Sequence, residues 1–169
     1  MKSLNRRERN DPPGAARPDA SLKLEQTLIY QLTIISNWLG LSALRLYGNR
    51  FGLRSVTEWP ILAALGEDAP LTAKAICDFT KFEKTRVARA TKRLIACGYI
   101  VSQSDPSDGR RTLLWLTDTG AHLHDLLVPF AMERNETLSA TLSHEERAQL
   151  RRIVAKLVAQ LPEVERVGN

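Results

Sequence analysis

Asp108-Gly109-Arg110-Arg111 sets two guanidinium groups beside one carboxylate on a short polar turn that begins at Asp105. Arginine forks grip phosphate oxygens and read the edges of bases, and they stay charged at any physiological pH. Asp108 would repel a polyanion if it faced one. It suits an internal partner that orients the Arg110 fork and organises the turn. Upstream lies a second basic set of the same chemistry: Lys84, Thr85, Arg86, Arg89, Lys92 and Arg93. Residues 72–117 hold nine Lys or Arg against four acids, and the whole chain carries a net charge of +5. The entire excess therefore sits in that segment, and the remainder of the chain is balanced. A localised basic patch is the electrostatic footprint of nucleic-acid binding, although charge alone would also fit a plain solvated face.

Other chemistries have little to stand on. The three histidines are His122, His124 and His144. His122 and His124 are two apart on a predicted helix, so they point in different directions and make a poor metal pair. No zinc-ligand spacing, Gly-rich phosphate loop or nucleophile elbow appears. The expectation is a protein that is not an enzyme and carries no metal or cofactor. Cys77 and Cys97 do not form a disulfide framework. Cys77 is expected to face a core, while Cys97, at a helix end in basic surroundings, is the better candidate for a reactive thiol. The chain has no run of about 18 apolar residues, and no apolar segment follows the charges at its N-terminus. A cytoplasmic location with no membrane partner is expected.

The elements that must position these groups follow from periodicity and turn chemistry. Residues 1–20 carry five Lys or Arg, three Pro and one Gly, which predicts a disordered basic arm. Leu24, Leu28, Leu32, Ile35, Leu39 and Leu46 predict one long amphipathic helix from about Ser21 to Asn49. Ser55-Val-Thr-Glu58 has capping-box spacing and predicts a helix to about Leu65, with Pro60 near its first turn. Thr72 is an N-cap for a short helix to about Phe79. Thr80 and Glu83 have capping-box spacing for the next, which ends near Cys97 with Gly98 as its stop. Val87, Ala90 and Leu94 share one face of that helix and can meet Ile76 and Phe79. Lys84, Thr85, Arg86, Arg89, Lys92 and Arg93 are left largely outside. The pattern is helix-turn-helix, with the second helix presented to a major groove. Its N-terminal positions, Lys84, Thr85, Arg86 and Arg89, are the candidates for base contact. Lys92 and Arg93 lie further along and suit phosphate. Tyr99 to Gln103 and Thr112 to Leu116 are β-rich and flank the turn, so Arg110 or Arg111 can enter a minor groove from a hairpin tip. Thr117 caps a helix expected to reach Leu142, with a kink at Pro129, and Ser143-His-Glu-Glu146 is a further capping box before a helix striped by Leu150, Ile153, Val154, Leu157, Val158 and Leu161.

These residues resemble the MarR (multiple antibiotic resistance regulator) family of winged-helix transcription factors. The resemblance rests on Asp108-Gly109-Arg110, on Leu113-Leu114-Trp115-Leu116-Thr117 with Gly120, and on Lys92 to Val101. In element order it covers about residues 21–161. It implies a mostly α fold with a small β-wing: a winged helix-turn-helix lobe at 67–117, dimerisation and linking helices at 21–66, and C-terminal dimerisation helices at 118–169. It implies a homodimer that binds a pseudo-palindromic duplex, commonly as a repressor released by a small aromatic acid or phenol. For such a carboxylate, phenolic or indole-type effector, Trp38, Tyr47 and Trp59 are the aromatic candidates. Arg45, with Arg50 or Arg54, could meet the carboxylate. The aromatics are also ordinary core or dimer packing residues. The alternatives are a winged-helix protein-interaction module without sequence-specific DNA binding, and a redox-sensing regulator using Cys97.

Overall fold

The computed structural model describes residues 22–167; the basic arm expected at 1–20 and the helix start expected near Ser21 lie outside them. The chain divides between Gly40 and Leu41 into two units. The first contains a 3₁₀ turn, Leu24–Gln26, and the opening part of α1, Leu28–Phe51. The periodic stripe predicted one uninterrupted helix here. Thr27 interrupts it: its hydroxyl donates to the Leu24 carbonyl (2.8 Å) and accepts the Tyr30 N–H (3.3 Å). A short hydroxyl side chain that bonds nearby backbone offers an alternative to the helical ladder, and α1 starts afresh beyond it.

The second unit holds the end of α1, then α2 (Glu58–Asp68), β1 (Leu71–Thr72), α3 (Ala73–Thr80), α4 (Lys84–Ala96), β2 (Ile100–Ser104), β3 (Thr112–Leu116), α5 (Asp118–Ser139) and α6 (His144–Arg166). Three antiparallel strands run in the order β1-β3-β2. β1 is two residues long, too short to leave an alternating pattern in sequence. The mostly helical fold with its small sheet is the winged helix. Its core is one cluster in which Ile61, Leu62, Ile76, Val87, Leu94 and Leu127 are fully buried. Val87, Ala90 and Leu94 hold the inner face of α4 as the spacing predicts. Phe79 does not join them and is about half exposed.

Three of the five expected caps form, at Thr72, Thr117 and Ser143, and two do not. Thr72 Oγ1 accepts the Ala75 N–H (3.1 Å), and Ser143 and Glu146 form a complete capping box. Thr80, however, is engaged in the turn. It donates to the Ile76 carbonyl (2.7 Å) and accepts the Phe82 N–H (3.3 Å), so it does not pair with Glu83. α3 is ended by Lys81 at φ +57°, a left-handed position uncommon for a residue with a side chain. The Ser55–Glu58 box is absent as well. Thr57 holds the N-cap position, and Glu58 turns inward to serve a different partner. The helix expected to reach Leu142 stops at Ser139, and the last helix runs on past Leu161 to Arg166, through Pro162.

Candidate nucleic-acid interface

α4 owes its presentation to both ends. At its C-terminus Gly98 adopts φ +75°. The Gly98 N–H bonds the Ile95 carbonyl and the Tyr99 N–H bonds the Leu94 carbonyl, both at 2.9 Å, which stops the helix and turns the chain into β2. Thr117 then ties two helices with one hydroxyl. Its Oγ1 donates to the Gly98 carbonyl (2.6 Å) and accepts the Gly120 N–H (3.0 Å) at the start of α5. A side chain on Gly120 would strike the Tyr99 carbonyl. Thr117 and Gly120 thus have a structural reason for their spacing: the first joins the helix ends, and the second lets the backbones touch.

With Val87, Ala90 and Leu94 buried, Lys84, Thr85, Arg86, Arg89 and Lys92 all lie on the exposed side of α4. Arg86 rests its guanidinium over the Phe82 ring at 4.7 Å, which limits its swing, and among the described residues no acid pairs with it. Arg93 is different. Nη1 donates to both oxygens of the Glu58 carboxylate (3.2 Å each) and Nη2 to the Gly52 carbonyl (3.1 Å). Glu58, only 1% exposed, also accepts the Arg54 N–H (2.8 Å). Glu58 reads in sequence as a helix cap; in the fold it is the buried counter-ion of the reader helix. Nothing in local spacing links positions 35 residues apart.

The hairpin pairs Ser104 with Thr112 and Ile100 with Leu116. Its tip is organised by two carboxylates. Asp105 accepts the Ser107 N–H (2.8 Å) and hydroxyl (2.6 Å) and lies 3.7 Å from Arg111. These bonds to Ser107, aided by Arg111, hold the Asp105 carboxyl below its ordinary range. Asp108 Oδ1 accepts from the Arg110 N–H (3.1 Å) and Nε (3.2 Å). Arg110 is otherwise in solvent, its side chain 93% exposed. Asp108 thus orients the fork from behind and leaves its terminal nitrogens outward.

Of the residues proposed from sequence for an effector, Tyr47 and Trp59 come together within the second unit. Trp38 lies in the first unit and is exposed, and Arg45 is exposed on α1. Tyr47 is buried and packs against Trp59 (6.0 Å between ring centres), and Trp59 meets His124 (5.8 Å). Arg134 lies 5.9 Å from the Tyr47 ring and donates to the Ser42 hydroxyl (2.9 Å). Burial raises the Tyr47 phenol above its usual value, with Arg134 opposing. His124 and Arg134 were not anticipated; they reach the cluster from α5 and no local motif marks them. Cys77 packs against the core and Cys97 is exposed. Among the described residues no helix is long and apolar enough to cross a membrane.

Comparison with known proteins agrees with this geometry. Residues 52–111 match the sequence model of the MarR family. The HTH-type transcriptional repressor NicR of Pseudomonas putida is 26% identical over 101 residues, 60% of this chain and 64% of that protein, slightly under two thirds of its length. The crystal structure of a MarR/EmrR family transcriptional regulator from Acinetobacter sp. ADP1 superposes with a TM-score of 0.79 at 26% identity, covering 84% of this chain and 99% of the other. The fold is also that of Bordetella bronchiseptica BpsR (TM-score 0.73, 19% identity, 82% and 98% covered), solved in a study of how 6-hydroxynicotinic acid regulates its DNA binding. The reader lobe thus matches the sequence model of the MarR family over residues 52–111, and the fold with its flanking helices is that of MarR-family winged helix-turn-helix transcriptional regulators.

Proposed function

We propose that this chain is a cytoplasmic homodimeric repressor that binds a pseudo-palindromic DNA duplex and is released by a small aromatic ligand. One observation carries the reading. α4 buries Val87, Ala90 and Leu94 and turns Lys84, Thr85, Arg86, Arg89 and Lys92 outward, while the same lobe extends Arg110 and Arg111 on a hairpin. Lys84, Thr85, Arg86 and Arg89 are assigned to base edges, Lys92 to phosphate, and Arg110 and Arg111 to the minor groove, with Asp108 orienting Arg110. Arg93 is assigned to holding α4 rather than to phosphate, because its Nη1 is on the Glu58 carboxylate and its Nη2 on the Gly52 carbonyl. The apolar stripe of α6, where Leu150, Ile153, Val154, Val158, Leu161 and Val164 are each 44–51% exposed, supports a second copy as the partner.

The effector is assigned to the aromatic class. The Tyr47–Trp59–His124 group with Arg134 offers stacking faces and a cation, and BpsR is a protein of this fold regulated by a pyridine carboxylate. Trp38 and Arg45, both exposed on α1, remain candidates for the same ligand. Such a ligand releases DNA if it binds more tightly to an arrangement that misplaces the readers.

A fluorescence-anisotropy titration of a duplex from the region upstream of the gene tests the DNA reading. Log affinity should fall linearly with log salt, with a slope of about −0.9 for each phosphate neutralised. A flat profile would identify a protein-interaction module instead. Addition of aromatic carboxylates to the bound duplex, with melting followed in parallel, tests the ligand class. Release accompanied by a raised melting temperature is the expected result.

A further inference from the structure

Beside α4 a cleft of about 310 Å³ opens between the helix and the segment that leads into α2. Arg54, Arg86, Arg89 and Arg93 line it, together with Ser55 and Glu58. The one carboxylate at its wall is committed to Arg93 and to the backbone N–H of Arg54. Among the described residues, Arg86 meets only the Phe82 ring. Among the described residues, the side chains of Arg54 and Arg89 meet no acid. Ser55 Oγ is buried and has no hydrogen-bond partner. A buried hydroxyl without a partner is costly, and cations gathered at one cleft repel one another. An oxyanion would relieve both, accepting from the hydroxyl and from the guanidinium groups.

We propose that this cleft seats a backbone phosphate of the bound duplex, with Arg54 as its charged donor and Ser55 as its neutral one. The inference deepens the DNA reading above and rests on it. A helix in the major groove has a phosphate chain on either side, and Arg86 and Arg89 belong both to that helix and to this cleft. A phosphodiester that flanks the groove is therefore the oxyanion delivered to this position when α4 docks. Arg54 lies outside the helix-turn-helix in sequence, so the contact widens the footprint to the joint between α1 and α2.

The test compares full-length wild type, Arg54→Ala, Arg54→Lys and Arg152→Ala on a mixed-sequence duplex across a salt series. Arg152 is an exposed α6 residue on the face away from the apolar stripe and serves as the charge control. Arg54→Ala keeps the backbone N–H that Glu58 uses, so its melting should match wild type. The expected result is a salt slope shallower by about 0.9 for Arg54→Ala. Affinity should fall by the same factor on every sequence, the lysine variant should recover much of the slope, and Arg152→Ala should show no change. A wild-type slope and affinity in Arg54→Ala overturns the proposal. Inorganic phosphate separates the two sources of the same anion. If it raises the wild-type melting temperature but not that of Arg54→Ala, while the duplex slope is unaffected by the substitution, the cleft serves a small free anion and the proposal falls. A flat salt profile in wild type itself would remove the DNA reading and this inference together, and would be distinguishable because it does not depend on Arg54.

Discussion

Arginines that look alike in sequence do different work here because their surroundings differ. Arg110 is fully presented and only steered by Asp108, so Arg110→Ala should weaken binding to all duplexes, most at A·T-rich flanks where the minor groove is narrow. Arg89→Ala should cost about 1–3 kcal/mol at one base position and relax preference there. An equal loss on every sequence would reassign it to phosphate. Arg93→Ala leaves the buried Glu58 carboxylate without its counter-ion, and breaking such a pair costs about 3–5 kcal/mol. Denaturant unfolding should show that loss, and the double variant Glu58→Gln/Arg93→Ala should recover part of it. Asp105 gives a pH signature. Its folded-state pKa is lowered, so its contribution is present above the unfolded value of about 3.9 and is lost as pH falls through the folded value. Protection of the Ser107 amide, measured against its intrinsic exchange rate, should fall in that acid window, and Asp105→Ala, which removes the acceptor, should lack that protection at all pH values.

At the scale of elements, the joints decide more than the helices. Thr117 bonds the end of α4 to the start of α5, and Gly120 rests on the Tyr99 carbonyl. Gly120→Ala must push backbone from backbone, so it should destabilise the reader lobe well beyond the ordinary cost of a surface substitution. Ser143→Ala removes one half of the capping box of α6 and should cost about 1 kcal/mol in denaturant unfolding. Its effect on DNA binding should be small, since α6 carries none of the reader residues. A comparable loss of DNA affinity would show that α6 sets the reader's pose.

For the whole molecule, the apolar residues left in solvent are the informative ones. α1 exposes Leu28, Ile29, Leu32 and Ile35, and α6 exposes its own stripe. The proposed homodimer would cover these side chains, so the melting temperature should rise with protein concentration. Ile153→Asp with Val158→Asp should yield a monomer by light scattering and abolish tight binding to a two-site duplex, because one reader cannot span two half-sites. A dimer that persists in that variant would place the interface elsewhere.

Local chemistry alone was enough for the helix-turn-helix, the hairpin, the Thr72 and Ser143 caps, the Gly98 stop and the inner face of α4. Each depends on residues within a turn or two of one another, and periodicity records them directly. The charged tip was legible for the same reason: Asp108 and Arg110 are two residues apart. Only the tertiary structure separated Arg93 from its basic neighbours, turned Glu58 from a cap into a buried counter-ion, brought Arg54 beside the reader helix and set His124 against Trp59. Those pairings join elements 30 to 65 residues apart, and long-range burial decides which charges are compensated and which remain available to a ligand.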